Sequence, residues 1–155
     1  MSKEEFTAIA EKYMDTIYRV AYSWTKNLDD ANDVTQDVLI QLYKTPKEFE
    51  SDSHLKNWLI RVTVNQCKML FRPPWRKIED IGEYAETLGF EEESYLDLFQ
   101  AVMELDKKYR VPVLLFYYER YSTAEIASIL KIPEKTVSTR LFRAKAKLKN
   151  YLKEE

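Results

Sequence analysis

Tyr121-Ser-Thr-Ala-Glu-Ile-Ala-Ser-Ile-Leu-Lys-Ile-Pro-Glu-Lys-Thr-Val-Ser-Thr-Arg-Leu-Phe-Arg-Ala-Lys-Ala-Lys-Leu-Lys149 reads as a helix, a tight turn and a longer basic helix. Ser122 is placed to cap the first helix, and Glu125, three residues on, completes a capping box. Ile126, Ala127 and Leu130 give that helix one apolar face. Pro133 suits the opening turn of the second helix, where its missing N–H costs nothing. The pattern is that of a helix-turn-helix, whose second helix enters the DNA major groove.

Helical phase divides the second helix. At about 100° per residue, Val137, Leu141, Ala144, Leu148 and Leu152 form one stripe. Lys135, Thr139, Phe142, Arg143 and Ala146 lie opposite, flanked by Arg140 and Lys147 on one edge and by Lys145 and Lys149 on the other. Glu134 is the sole acidic residue from Lys131 to Lys153. Such a face can hold phosphates through Lys and Arg and offer Arg, Thr and an aromatic ring to base edges. Charge alone would fit an ordinary solvated helix; cap, turn and phase together favour DNA reading.

The remaining chain also reads as helical. Two glycines and five prolines in 155 residues leave few tight loops. A first amphipathic helix is expected over 3–26, carried by Phe6, Ile9, Ala10, Tyr13, Met14, Ile17, Ala21 and Trp24. Asn27 and Asp29-Asp30 mark a break and a new cap, and Ala31, Val34, Val38 and Leu42 carry a second helix to Tyr43. A third is expected over 54–71, with Leu55, Trp58, Leu59, Val62, Met69 and Leu70 as its apolar stripe and Pro73-Pro74 as its stop. After an acidic stretch, a second module begins near Tyr95, with Leu96, Phe99, Val102 and Leu105 on one stripe. Pro112 should open the next helix, whose buried body is Val113 to Tyr118. The expected class is all-α: a helical domain over 1–72, an acidic linker over 73–94, and a helix-turn-helix domain over 95–155.

Net charge is −2, yet the charges are segregated. Residues 54–77 contain Lys and Arg and no acid, whereas 78–106 contain Asp and Glu and no base. On the third helix Arg61, Asn65, Lys68 and Arg72 align beside the apolar stripe. That line suits a nucleic-acid backbone and equally a solvated face; Trp58 reads better as core than as a base-stacking ring. On the second helix Asp29 and Asp30 complement the helix dipole. Asp33, Gln36 and Asp37 extend beyond the first turn and fit a partner surface, with a basic protein helix as the natural complement.

Catalysis finds little material. His54 is the one histidine and Cys67 the one cysteine, and no glycine-rich phosphate loop or metal-ligand cluster occurs. His54 reads as a cap-adjacent surface residue and Cys67 as core. No cofactor is expected. A lone cysteine, no apolar run of membrane-spanning length and no signal peptide point to the cytoplasm.

Nearly the whole chain resembles the extracytoplasmic-function group of RNA polymerase sigma factors, within the sigma-70 family. Asp29-Asp-Ala-Asn-Asp-Val-Thr-Gln-Asp-Val38 is similar to the helix by which that family docks on the coiled coil of the polymerase beta-prime subunit. Leu55 to Lys68 resembles the helix that melts and holds the minus-10 element, and Tyr121 to Leu148 the module that reads the minus-35 element. The resemblance implies a non-catalytic initiation factor that binds core RNA polymerase and promoter DNA and has an anti-sigma protein as a partner. It assigns Asp33, Gln36 and Asp37 to the polymerase, and Arg61, Asn65 and Lys68 to the minus-10 region. Lys135, Thr136, Thr139, Arg140, Phe142 and Arg143 fall to the minus-35 duplex. It puts the capture of a flipped base at the loop Phe49 to Ser53, and the acidic linker in a channel of the enzyme. Lys131 stands where most relatives carry glycine, and Ser138 where many carry Arg or Lys. The rival reading is a stand-alone helix-turn-helix regulator. It explains the C-terminal third and leaves the faces around Asp33 and Arg61 without a purpose.

Overall fold

The computed structural model describes residues 1–46, 48–70 and 93–152, the last stretch with side chains at 97–149. Every regular element among the described residues is helical, as expected. The chain forms two compact units, 1–79 and 80–155. The Pro73-Pro74 stop and the acidic stretch up to residue 92 lie outside the described residues.

The first unit packs three helices, each against the other two. Helix α1 spans Lys3–Thr25 and is capped by Ser2, whose hydroxyl accepts from the Glu5 N–H. Helix α2 spans Leu28–Lys44, with Asn27 accepting from the Asp30 N–H. Helix α3 spans Asp52–Met69, with Ser51 accepting from the His54 N–H. It starts two residues before the expected His54, because Ser51 supplies the cap. Ile17, Val20, Ala21 and Tyr22 of α1 meet Val34, Val38 and Leu42 of α2 and Leu59, Ile60 and Val64 of α3 in the core.

Two expectations fail here. Met14 is 44% exposed and Met69 78% exposed, so neither belongs to the core. On α3 the buried stripe is centred about a quarter turn away from the expected one, on Leu59, Thr63 and Cys67. Thr63 buries readily because its hydroxyl donates to the Leu59 carbonyl at 2.7 Å, leaving no unmet donor. Cys67 is buried as expected.

The second unit opens with α4, Glu93–Met103, two residues before the expected start. Helix α5 spans Lys107–Val113 and continues as a π-helical turn, Leu114–Tyr118. Pro112 thus lies inside a helix begun at Lys107, not at its start. Its ring nitrogen has no proton for the carbonyl four residues back. The ladder then widens: Glu119 N–H reaches Leu114 O at 3.1 Å and Tyr121 N–H reaches Leu115 O at 2.9 Å. The expected buried body holds for Val113, Leu114 and Leu115, while Tyr117 is 46% exposed.

Helices α6, Thr123–Leu130, and α7, Glu134–Leu152, complete the unit. Both halves of the capping box form: Ser122 Oγ accepts from Glu125 N, and Ser122 N donates to Glu125 Oε1. Lys131 ends α6 in the left-handed region, at φ 58° and ψ 46°. Three non-glycine residues among those described take positive φ: Lys26, Arg120 and Lys131. Pro133 immediately precedes α7, and its carbonyl accepts from Val137 N at 3.2 Å.

Candidate nucleic-acid interface

α7 is held by one side and open on the other. Val137, Leu141, Ala144 and Leu148 are buried against the unit, as expected for these four members of the stripe, while the side chain of Leu152 lies outside those described. Thr123 Oγ1 donates to Glu134 Oε1 at 2.8 Å, which ties the first residue of α6 to the first of α7. On the open side Lys135 and Arg143 are exposed, Phe142 is 76% exposed, and Thr136, Thr139 and Arg140 are half-buried. Thr139 Oγ1 spends its proton on the Lys135 carbonyl at 2.9 Å, leaving its oxygen as an acceptor for a base amino group. Ser138 is exposed and uncharged.

A cleft of about 530 Å³ runs along this helix. Lys135, Thr136, Thr139, Arg140 and Arg143 line it with Pro133 on one side, and Lys108 and Tyr109 of α5 on the other. Among the described residues no carboxylate lines it. Sequence reasoning missed Lys108 and Tyr109, which only α5–α7 packing brings to this face. Their one signal was position: Lys107-Lys108 are the first cations after the acidic run that ends at Asp106.

The first unit carries two more surfaces. On α2, Asp33, Gln36 and Asp37 are all exposed. Asp30 is only 1% exposed and lies in the core, so it takes no part in this acidic face, whereas Asp29 is exposed. Ile40 and Tyr43, 51% and 53% exposed, continue the same side of the helix toward its C-terminus.

On α3, Arg61, Asn65 and Lys68 form the expected exposed line, while Arg72 lies outside the described residues. Trp58 is half-buried and meets Phe49 edge-on, with ring centroids 5.5 Å apart. Phe49 also packs on His54, at 5.4 Å, so the aromatic of the loop is anchored to α3. His54 Nδ1 accepts from Glu50 N–H at 3.1 Å, a cap-adjacent role as expected. Ser51 and the two residues after it belong to the helix start, not to the loop.

Beneath that loop lies a cleft of about 660 Å³, lined by Met1, Glu5 and Ile9 of the α1 end and by Glu48, Phe49, Asp52 and Leu55 among others. Its carboxylates repel phosphate and suit uncharged groups that bear N–H donors. Lys12 of α1 donates to Asp52 and fixes the start of α3. The hydrogen bond it donates to Asp52 raises the Lys12 ammonium above its ordinary pKa. A raised folded-state value means the pair contributes fully at neutral pH and is lost only as pH climbs past the lysine range. Among the described residues no group of three or more His, Cys, Asp or Glu could hold a metal ion, and no helix is long and apolar enough to cross a membrane.

Comparison with known proteins follows these boundaries. Residues 9–77 match the family described as Sigma-70 region 2, and residues 95–148 match Sigma-70, region 4. The RNA polymerase sigma factor SigV of Bacillus subtilis (strain 168) is 31% identical, over 89% of this chain and 84% of its own. The ECF RNA polymerase sigma factor SigW of the same strain is 28% identical, over 98% of this chain and 91% of its own. Among solved structures, the sigma factor RpoE of Bartonella quintana, crystallised with the anti-sigma factor NepR, superposes with a TM-score of 0.68 at 20% identity. That match covers 97% of this chain and 98% of the other, and supports the fold. The order of helices, the two matched regions and the full-length relatives agree: this chain belongs to the sigma-70 family of RNA polymerase sigma factors, in its extracytoplasmic-function group.

Proposed function

We propose that this sigma factor binds core RNA polymerase through the acidic face of α2, meets the minus-10 element with α3 and reads the minus-35 duplex with α7. Asp33, Gln36 and Asp37 contact the beta-prime coiled coil. Arg61, Asn65 and Lys68 hold the minus-10 strand, and the loop before α3 receives an unpaired base. Lys135, Thr136, Thr139, Arg140, Phe142 and Arg143 meet the minus-35 duplex. Residues 1–72 form the polymerase and minus-10 domain, 73–94 an acidic linker, and 95–155 the minus-35 domain. The role is non-catalytic and cytoplasmic, since bond formation belongs to the core enzyme.

One observation carries this reading. A single chain exposes an acidic face on α2 and cationic faces on α3 and α7, each on a helix whose opposite side is buried. A stand-alone regulator has use for only the last. Two weak readers become one strong one when a large enzyme holds them in register, because the second contact is then made at high effective concentration. An anti-sigma protein, the partner named for the Bartonella relative, would silence the chain by covering the Asp33–Asp37 face or the Arg143 face.

Transcription in vitro with purified core enzyme tests the proposal. The full chain should direct initiation from a subset of a promoter library and should shift promoter DNA in a gel only when core is present. A tight, specific shift by the free chain at physiological salt would favour the regulator.

A further inference from the structure

The cleft beside α7 has a second wall that promoter reading leaves without a role. Four cations line it, Lys135, Arg140 and Arg143 from α7 and Lys108 from the first turn of α5, and among the described residues no carboxylate lines it. Four cations on one concave surface suit an anion. Lys108 is exposed, but its ammonium rests 5.2 Å from the ring centroid of the buried Tyr109. Lys147 of α7 approaches the same ring at 5.8 Å. Tyr109 thus takes a cation from each helix, and α5 packs firmly on α7.

We propose that Lys108 is a phosphate-positioning residue, holding a backbone phosphate of the minus-35 duplex from the wall opposite α7. The inference rests on the reading of α7 as the minus-35 helix. A helix seated in a major groove about 12 Å wide has a sugar-phosphate strand along each edge. A neighbouring helix packed at about 8–10 Å lies over one of those strands. The cleft is open rather than enclosed, which suits a strand passing through it more than a small anion sequestered within it. Lysine offers a point charge without the planar fork that pairs with a base edge, so Lys108 fixes register and orientation and carries no sequence preference.

The test uses holoenzyme assembled from the full chain and core polymerase, with binding to a minus-35 duplex promoter followed by fluorescence anisotropy from about 50 to 200 mM salt. Lys108→Ala should weaken binding severalfold and reduce the slope of log K against log salt by about 0.9. Base preference at each minus-35 position should stay as in the wild type. Lys108→Arg should restore the slope. An unchanged slope beside a normal wild-type promoter preference overturns the inference alone, as does a change of preference at a single base pair. A wild-type holoenzyme with no promoter preference overturns the α7 reading, and the inference falls with it. Calorimetric titration of the full chain with pyrophosphate separates the other source of phosphate. Absence of binding supports the duplex, and Lys108-dependent micromolar binding overturns it in favour of a small polyphosphate.

Discussion

α3 and α7 both expose cations, but in opposite settings. On α7 the charges face a concave surface, with threonine hydroxyls among them and α5 as a second wall. On α3, Arg61, Asn65 and Lys68 run along one exposed line, beside a strip of half-buried Trp58 and Val62 and the exposed Met69. A concave, hydroxyl-bearing surface complements the outline of an intact duplex and can sort donors from acceptors on base edges. On α3 the cations stand beside an apolar strip, a pairing suited to tracking one backbone with unstacked bases against the strip. On the proposed reading, the same residue types support double-strand reading in one unit and single-strand holding in the other, and neighbouring apolar groups make the difference.

The largest effect should come from removing what both faces depend on. Asp37→Lys puts a cation on the face proposed to dock a basic partner helix, and a like-charge contact there costs several kcal/mol. Core binding, measured by competition against a labelled sigma factor, should fall by at least about a hundredfold. Initiation should fail at every promoter, while Asp37, being exposed, leaves the fold intact. Full activity in this variant would mean that α3 and α7 do not need the α2 face to work together.

Arg143→Ala comes next and acts on α7 alone. On the proposed reading Arg143 meets a base edge, and loss of one such arginine costs about 1–3 kcal/mol of discrimination. Binding to minus-35 duplex by the holoenzyme should weaken accordingly, while core affinity and opening of a pre-melted fork should not change. If fork opening falls equally, the division of labour between the two helices is wrong.

Much of this contrast was legible in the sequence, because caps and phase are local. Asn27, Ser122 with Glu125, and the Val137–Leu148 stripe all stand as expected. The errors came from long-range neighbours and from counting polarity in place of satisfaction. Thr63 has no place on the expected apolar stripe, yet it is buried and its hydroxyl is met within its own helix. Met69 was counted as core by hydrophobicity, yet it lies on the side of α3 away from α1 and α2. Pro112 looked like a helix start, yet the helix begins at Lys107, runs through it and ends in a π-helical turn. Arg110 is buried with its Nη1 on the Leu105 carbonyl at 3.0 Å, a satisfaction that no periodicity reveals. Lys108 was invisible as part of the site because it joins α7 only across the fold.

A smaller effect isolates the turn that aims α7. Only two glycines occur in the chain, and the left-handed exit of α6 falls to Lys131. A side chain there costs about 1 kcal/mol, partly offset by the extra freedom an unfolded glycine would gain. Lys131→Gly should therefore stabilise the second unit by somewhat less than that amount. Amide hydrogen exchange on the full chain should show added protection in α6 and α7 and none in α1–α3. Equal gains in both units would mean that the two do not open independently.

Lys68→Ala should give the smallest change and the sharpest test of the contrast. Lys68 is exposed near the C-terminal end of α3, so its removal leaves the core untouched. If α3 tracks a single strand, the holoenzyme should bind a forked, pre-melted template with a salt slope shallower by about 0.7, the single-strand value per phosphate contact. A duplex-binding helix would instead lose about 0.9, the value for B-form DNA. The fork and a closed duplex carrying only the minus-35 element should then separate the two faces. Lys68→Ala should alter the slope on the first and leave the second unchanged. A change on the closed duplex would mean that α3, like α7, grips double-stranded DNA, and that the two faces differ in their apolar neighbours without differing in task.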